Sequence, residues 1–240
     1  MIIMPRIRQR SPIKASNHFS RLIKETLEKK KETKTHKQYI KAIIERDKTK
    51  EWPMERSLEE YNACFKPALN KTGLGSDLFD FLKKRYQHTK EPVSVLDLGA
   101  GEGNFLADLK KILLGNKIPN KLESLSLVDN ISAKNQILID QKHLISAVDQ
   151  KLTKKYDLII DVYSAINYEL DSVKKNLILK YAYSLKKGGT LLIAGIYKSP
   201  ESKRNILAHL KKQGFNAMFV DQTTNIFVND KKTALVINRK

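Results

Sequence analysis

The sequence has little cysteine, proline or glycine. Its single cysteine, Cys64, has no second cysteine for an intramolecular disulfide, and it excludes a zinc site built on several thiolates. A lone thiol suits a reducing compartment, so we expect a cytoplasmic protein. Seven Pro and 10 Gly in 240 residues are too few for a collagen-like or low-complexity chain.

Long apolar runs are also missing. No stretch of 18 apolar residues is present, so the sequence predicts no transmembrane helix. Residues 1–10 are basic and contain Pro5, and no apolar segment with a small-residue cleavage site follows them, so we expect no secretory signal peptide. Hydrophobic residues still make up 41% of the chain, which is enough for a folded core.

Positive charge is in excess and is distributed unevenly. The formal net charge is +19, and residues 1–50 contain 15 Lys and Arg against 5 Asp and Glu, a net charge of +10. A basic extension of this kind attracts nucleic-acid backbones or anionic membranes. A chain rich in Lys, Asn and Ile also arises from an AT-rich genome without any binding role. Both interpretations stay open.

The pattern of apolar residues changes after Pro92. Before it, apolar residues recur at helical spacing, and a capping box from Ser57 to Glu60 predicts the start of a helix. After it, short apolar runs such as Val93–Leu98 and Tyr156–Tyr163 alternate with amphipathic segments. This alternation predicts a doubly wound, mostly parallel α/β sheet. The predicted organisation is a basic helical extension (residues 1–50), the first helices of the core (51–90) and a Rossmann-like domain (91–240).

The sharpest motif is a glycine-rich turn that follows the first predicted strand. Val95–Leu98 leads directly into Gly99, Gly101 and Gly103, and an amphipathic helix begins after them. A turn between a strand and a helix is where an α/β sheet binds a nucleotide, because strands end there and glycine lets the ligand approach the backbone. The motif therefore predicts a nucleotide-like ligand at this turn.

The spacing and charge of the turn distinguish between candidate ligands. A dinucleotide fingerprint reads G-x-G-x-x-G, whereas here Asn104 occupies the position of the third glycine. Asp97 and Glu102 would repel a pyrophosphate. S-adenosylmethionine carries an ammonium, a sulfonium and a ribose diol but no phosphate. The pattern therefore favours S-adenosylmethionine over NAD.

The segment VLDLGAGEG resembles motif I of class I S-adenosylmethionine-dependent methyltransferases, and further landmarks of that family follow in order. Leu125–Asp129 resembles the second strand, whose final acid holds both ribose hydroxyls. Tyr156–Asp161 is similar to the family's FDLI segment, and Leu185–Ile193 to its glycine turn and fifth strand. The resemblance spans residues 93–194, and two closing strands extend it. It implies a seven-stranded sheet, S-adenosylmethionine as cofactor and methyl transfer.

The resemblance also implies which residues bind the cofactor. Carried over position by position, they are Asp97, Gly99, Ala100, Gly101, Gly103, Asp129, Asn130, Asp149 and Asp161. Glu123 is an alternative to Asp129 as the ribose ligand, and Ser146 is an alternative to Asp149 near the adenine amine. The helix from Glu59 corresponds to one that covers the cofactor in related enzymes, where Tyr61 and Phe65 either close over the ligand or pack against the core.

The end of the fourth strand usually supplies the groups that act on the methyl acceptor. Here the candidates are Asp161, Tyr163, Asn167, Tyr168 and Glu169. The tyrosines either contact the sulfonium through their rings or pack on the sheet, and Asn167 and Glu169 either act on the acceptor or cap the next helix. The segment lacks both the Asn/Asp-Pro-Pro-aromatic tetrad of base and glutamine methylation and a cysteine for pyrimidine C5 methylation. A small-molecule or protein acceptor is therefore favoured. An RNA methyltransferase that uses residues 1–50, and a non-catalytic module within a complex, remain alternatives.

Overall fold

The computed structural model describes residues 56–127, 131–162, 164–166, 171–195, 199–221 and 233–239. These residues belong to one compact unit, residues 50–240. The helices predicted within residues 1–50 lie outside the described residues. No helix among the residues described is both long and apolar enough to cross a membrane.

Within the described residues, two helices precede the sheet, α1 (Leu58–Thr72) and α2 (Leu78–Thr89). The capping box at the start of α1 is confirmed, because the Ser57 hydroxyl accepts from the Glu60 amide and the Glu60 carboxylate accepts from the Ser57 amide at 2.7 Å. The helix ends at Gly73, whose left-handed backbone closes the last turn. Helix α2 begins two residues later than the apolar pattern predicts, because Asp77 is its N-cap.

In the part of the chain that the structure describes, seven strands form one sheet, with four further helices between them. The strands are β1 (Val93–Leu98), β2 (Asn120–Ser126), β3 (Gln141–Leu144), β4 (Tyr156–Val162), β5 (Leu185–Ala194), β6 (Phe215–Asp221) and β7 (Thr233–Arg239). The helices are α3 (Asn104–Gly115), α4 (Ala133–Gln136), α5 (Asp171–Tyr183) and α6 (Pro200–Lys212). The strand order is β3-β2-β1-β4-β5-β7-β6, in which β7 runs in the direction opposite to the other six strands. The predicted mostly parallel, seven-stranded α/β sheet is confirmed.

The chain reverses its direction across the sheet between β1 and β4. From β1 it moves outward to β2 and β3, and then returns to place β4 on the other side of β1. In open α/β sheets the ligand lies at the carboxyl ends of the strands at such a reversal. Leu98 pairs with Asp161 there, so the last residue of β1 lies beside the penultimate residue of β4.

The core lies on both faces of the sheet. One face is covered by α1, α2 and α3, with large buried side chains that include Tyr61, Phe65, Phe81 and Phe105. The other face carries α5 and α6, packed on the opposite side chains of the same strands. Strand β4 is buried at every position, which explains the continuous apolar residues Leu158–Ile160 at its centre.

Besides α2, three further elements differ from the sequence prediction. Strand β2 begins at Asn120, five residues before the predicted start, because the polar residues Glu123 and Ser124 are buried inside it. Strand β5 begins at Leu185, and its glycine pair lies within the strand beside a register shift of β4. The sequence pattern after β2 also predicts a helix over Ala133–Ile139, whereas the structure has only the four residues of α4 there.

Candidate functional site

The glycine loop between β1 and α3 has a backbone that requires glycine. Gly99, Gly101 and Gly103 have φ values of 80°, 54° and 79°, a region that other residues rarely adopt. A Cβ at Gly99 would overlap the Ser164 hydroxyl, and one at Gly103 would lie 2.7 Å from Ile139 Cδ1. At these two positions the close approach is therefore made by the protein's own segments after β4 and β2. The sequence alone had attributed that approach to the ligand.

Helix α3 begins at this loop without a side-chain cap. Its N-cap is Gly103, which has no side chain to accept from the first amides of the 12-residue helix. The partial positive charge of the helix N-terminus is therefore directed at the loop. A carboxylate or another anionic group of a ligand is favoured at this end.

Asp97 lies near the end of β1 and is fully buried. Both of its carboxylate oxygens accept from the Tyr61 hydroxyl, each at 3.2 Å. Burial raises the pKa of Asp97 to about 8, and the charge of Asp161 contributes to this increase. The hydrogen bond from Tyr61 and the charge of Arg56 act in the opposite direction. Asp97 is therefore an acid whose charge is poorly compensated by the protein itself.

Asp161, at the end of β4, is the second fully buried acid of this edge. It accepts hydrogen bonds from the Ser164 amide at 3.0 Å, the Ser164 hydroxyl at 2.6 Å and the Ile166 amide at 2.6 Å. Burial nevertheless raises the pKa of Asp161 to about 6. Because both carboxylate oxygens are engaged, Asp161 orders the turn that follows β4, and this geometry favours a positioning role over that of a base.

Two side chains from the start of α1 reach the same edge. Tyr61 stacks on Phe105 of α3, with 4.0 Å between ring centroids and 6° between ring planes. The Arg56 guanidinium donates from Nη1 to the carbonyl oxygen of Val162, at the end of β4. Of the two sequence interpretations of Tyr61, the structure shows packing, and it adds the hydrogen bond to Asp97. The role of Arg56 could not be predicted from the sequence, because no local pattern connects it to a carbonyl 106 residues away.

The segment after β2 is attached to the glycine loop. The Ser132 amide donates to the Glu102 carbonyl at 3.2 Å. The Asn135 side chain donates to that carbonyl at 2.9 Å and to the Asn104 side chain at 2.7 Å. Asp129 and Asn130 lie outside the described residues, so their contacts with the ribose remain predictions.

Glu123 is held away from this edge. It is 3% exposed, and its carboxylate contacts the His143 ring at 2.9 Å, Lys154 Nζ at 2.8 Å and the Tyr156 hydroxyl at 2.9 Å. These hydrogen bonds outweigh the effect of burial and lower the pKa of Glu123. Because Lys154 and Tyr156 lie at the amino end of β4, Glu123 faces the edge opposite the glycine loop. The geometry does not favour it as the alternative ribose ligand.

Asp149 and Ser146 lie in the turn that follows β3. Asp149 is exposed, whereas Ser146 is buried and its hydroxyl accepts from the Val148 amide at 3.1 Å. Lys180 of α5 secures this turn by donating to the carbonyls of Ala147 and Val148. The turn lies at the carboxyl edge, as the sequence predicts, and the contact of Asp149 with adenine remains a prediction.

The other candidates at the end of β4 are outside the described residues. They are Tyr163, Asn167, Tyr168 and Glu169, and their roles remain predictions. Within the described part of the chain, no cluster of three or more His, Cys, Asp or Glu side chains could hold a metal ion. A cavity of about 650 Å³ opens beside the loop, between the first turns of α1, α3 and α4, and its lining includes Glu60, Asn104 and Lys134.

Comparisons with known proteins find similarity at the level of solved structures. No protein-family model matches the sequence, and no curated protein does either. Magnesium protoporphyrin IX methyltransferase (ChlM) from Synechocystis PCC 6803, with bound SAM, is 13% identical with a TM-score of 0.48, over 66% of this chain and 76% of that one.

Two further solved structures show the same level of similarity. CalS10, an amino pentose methyltransferase from Micromonospora echinaspora, also with bound SAM, is 12% identical with a TM-score of 0.49, over 67% of this chain and 89% of that one. The plantazolicin methyltransferase BpumL, in complex with a pentazolic desmethylPZN analog and SAH, is 13% identical with a TM-score of 0.49, over 83% and 91% of the two chains. At such low identity, the substrates named for these structures describe those proteins alone.

Proposed function

We propose that this protein is an S-adenosylmethionine-dependent methyltransferase whose cofactor binds at the carboxyl edge of β1, β2 and β4. The observation that carries this proposal is the pair of fully buried acids, Asp97 and Asp161, at the strand reversal beside the glycine loop. Buried carboxylates are costly unless a positive charge compensates them. A ligand with an ammonium and a sulfonium supplies that charge, whereas a dinucleotide pyrophosphate would add negative charge.

The residues of the edge suit the parts of this cofactor. The uncapped N-terminus of α3 favours the carboxylate of the methionine moiety, and Asp97 favours its ammonium. Asp129 is the proposed acceptor for the ribose diol, and Asp149 the proposed contact of the adenine amine. When bound, the cofactor supplies a methyl group on a positively charged sulfur, which is open to attack by a nucleophile.

The contribution of the protein to the reaction is to place the acceptor in line with that methyl group. Asp161 orders the turn from Ser164 to Ile166 through three hydrogen bonds. We expect the side chains next to this turn, Tyr163, Asn167, Tyr168 and Glu169, to contact the acceptor. Glu169 is the proposed base where the acceptor must lose a proton.

A small molecule or a protein is the proposed acceptor class, because the end of β4 lacks the sequence features of base-modifying enzymes. The net charge of +10 in residues 1–50 supports one alternative, an RNA acceptor held through its backbone. A non-catalytic module that binds the cofactor within a complex is the other alternative.

Transfer of a labelled methyl group tests the proposal and separates these alternatives. The protein is incubated with [methyl-³H]S-adenosylmethionine and with the protein, RNA or small-molecule fraction of a cell extract. We expect label in the small-molecule or protein fraction. We also expect its loss with Asp97→Asn, and its retention with Asp221→Asn, a change of an exposed acid on β6. Label in RNA alone would support the RNA acceptor, and absence of label from every fraction would contradict the enzymatic proposal.

A further inference from the structure

The hydrogen bond between Tyr61 and Asp97 joins the first helix to the glycine-loop strand. Tyr61 belongs to α1 and is 1% exposed, and Asp97 belongs to β1 and is 0% exposed. A single hydroxyl lies 3.2 Å from both carboxylate oxygens, so it bridges the two. Among the described residues, the Tyr61 hydroxyl is the side-chain group that donates a hydrogen bond to Asp97. Asp97 is the carboxylate proposed to bind the ammonium of the cofactor.

The tyrosine ring is fixed in place. It lies nearly parallel to Phe105, the second residue of α3, at a centroid distance of 4.0 Å. The helix that carries it is fixed at its start by the reciprocal hydrogen bonds of Ser57 and Glu60. The stacked ring and the ordered first turn of α1 together place the hydroxyl beside Asp97.

The charged and titratable groups that face Asp97 act in opposite directions. Tyr61 and Arg56, from α1 and the residues just before it, favour the ionised carboxylate, whereas Asp161 of β4 disfavours it. Burial raises the pKa of Tyr61 well above its ordinary value, so its hydroxyl remains a donor. A donor stabilises a carboxylate more than a carboxylic acid. Both groups that favour ionisation therefore come from the start of α1.

We propose that Tyr61 is a positioning residue for the cofactor: its hydroxyl stabilises the ionised form of Asp97 that the ammonium of the ligand requires, so cofactor binding depends on the position of α1 against β1. This inference rests on the proposed function. A buried acid with a pKa near 8 is mostly protonated at pH 7, and a cationic ligand that binds beside it expels the proton. Affinity should therefore rise with pH up to about 8 and level off above it.

The first test uses the unmodified protein, so that it does not depend on the folding of a variant. Binding of S-adenosylhomocysteine, which keeps the ammonium, is measured by calorimetry between pH 6 and pH 9 in buffers of different ionisation enthalpy. We expect release of close to one proton at pH 7, falling toward none at pH 9. Binding without proton release at pH 7 would overturn the inference. Absence of binding at every pH would instead overturn the proposed function.

The second test compares Tyr61→Phe with Tyr183→Phe, a change of a partly exposed tyrosine whose hydroxyl contacts Gln213. Loss of a hydrogen bond to a charged group raises the pKa of Asp97 by roughly one to two units. At pH 7 the variant should therefore bind about 10- to 100-fold more weakly than the unmodified protein. By pH 9 this ratio of dissociation constants should be smaller by a factor of about five or more. Tyr183→Phe should follow the unmodified protein. A deficit that is constant across the pH range would show that Tyr61 only packs.

A readout without ligand completes the test. The ¹³C signal of the Asp97 carboxyl, assigned by its disappearance in Asp97→Asn, is followed against pH in the unmodified protein and in Tyr61→Phe. We expect the midpoint of its titration to be higher in the variant. Equal midpoints would refute the role of the hydroxyl, even if no cofactor binds.

Discussion

Asp157 is the acid whose removal should destabilise the fold most clearly. It lies at the amino end of β4, and its side chain is 2% exposed. It contacts Arg85 Nη2 of α2 at 3.1 Å and Lys186 Nζ of β5 at 2.8 Å, and it accepts from the amide and hydroxyl of Ser94 of β1, both at 2.9 Å. One carboxylate therefore joins a helix and two other strands to β4.

The substitution Asp157→Asn keeps the shape of the side chain and removes its charge. Arg85 and Lys186 then lose their shared anion, and their side chains are only 13% and 25% exposed. Removing one partner from a buried ion pair costs about 3 to 5 kcal/mol. Because Lys186 keeps some contact with solvent, we expect a loss of about 3 kcal/mol in the free energy of unfolding. Asp108→Asn is the matched control, since its pair with Lys111 is exposed and contributes at most about 1 kcal/mol.

Urea unfolding followed by circular dichroism measures both variants. A loss of about 3 kcal/mol lowers the urea midpoint of Asp157→Asn by roughly 1 to 2 M at ordinary slopes. The charged partners lower the pKa of Asp157 despite its burial, so this contribution is present above the ordinary pKa of an aspartate. It is lost as the pH falls through the lowered pKa. The free energies of unfolding of the two variants should therefore become similar at acidic pH. A loss for Asp157→Asn no larger than that for Asp108→Asn would refute this reasoning.

Three further predictions concern the glycine loop, the cap of α1 and the buried acids. Gly103→Ala should lower the free energy of unfolding by about 2 to 3 kcal/mol, and Gly73→Ala by only about 1 kcal/mol. Both glycines have a positive φ, but of the two only Gly103 would bring a Cβ against another side chain. Equal losses in the free energy of unfolding, measured with urea, would disprove the clash. Ser57→Ala should cost about 1 kcal/mol through loss of the N-cap, whereas Ser57→Thr should cost little, and thermal melting that ranks them equally would contradict the capping role. Burial raises the pKa of Asp161 to about 6 and that of Asp97 to about 8, so their protonated forms stabilise the protein without ligand. This contribution to the free energy of unfolding is complete below the ordinary aspartate pKa of about 4, and it is lost as the pH rises through the two raised values. The increase in melting temperature that S-adenosylhomocysteine produces should therefore be larger at pH 8 than at pH 6, and the opposite order would contradict the assignment.

Local patterns in the sequence predicted most of the sheet. Val93–Leu98 and Tyr156–Val162 are rich in β-branched and aliphatic residues and are buried on both faces, so their composition identifies them as central parallel strands. The start of β2 was not predicted, because the burial of Glu123 depends on His143, Lys154 and Tyr156, which lie 20 to 33 residues further along the chain. A polar residue with distant partners looks like a loop residue in a local pattern.

The candidate site was predictable where the chemistry is local and not where it depends on the fold. Gly99, Gly101 and Gly103 belong to one short motif, and their positive φ values agree with it. The contact of Ser164 with the backbone of Leu98 spans 66 residues, and that of Arg56 with Val162 spans 106. No periodicity or motif records such contacts, because they arise only when β4 and α1 are placed beside β1.

The central claim is that this edge of the sheet accepts a ligand that carries an ammonium and no phosphate. Calorimetric titration of the folded protein with S-adenosylhomocysteine and, separately, with NAD tests it most directly. The account predicts saturable binding of S-adenosylhomocysteine that Asp97→Asn weakens, and no binding of NAD. Binding of NAD, or no binding of S-adenosylhomocysteine to protein shown to be folded, would contradict it.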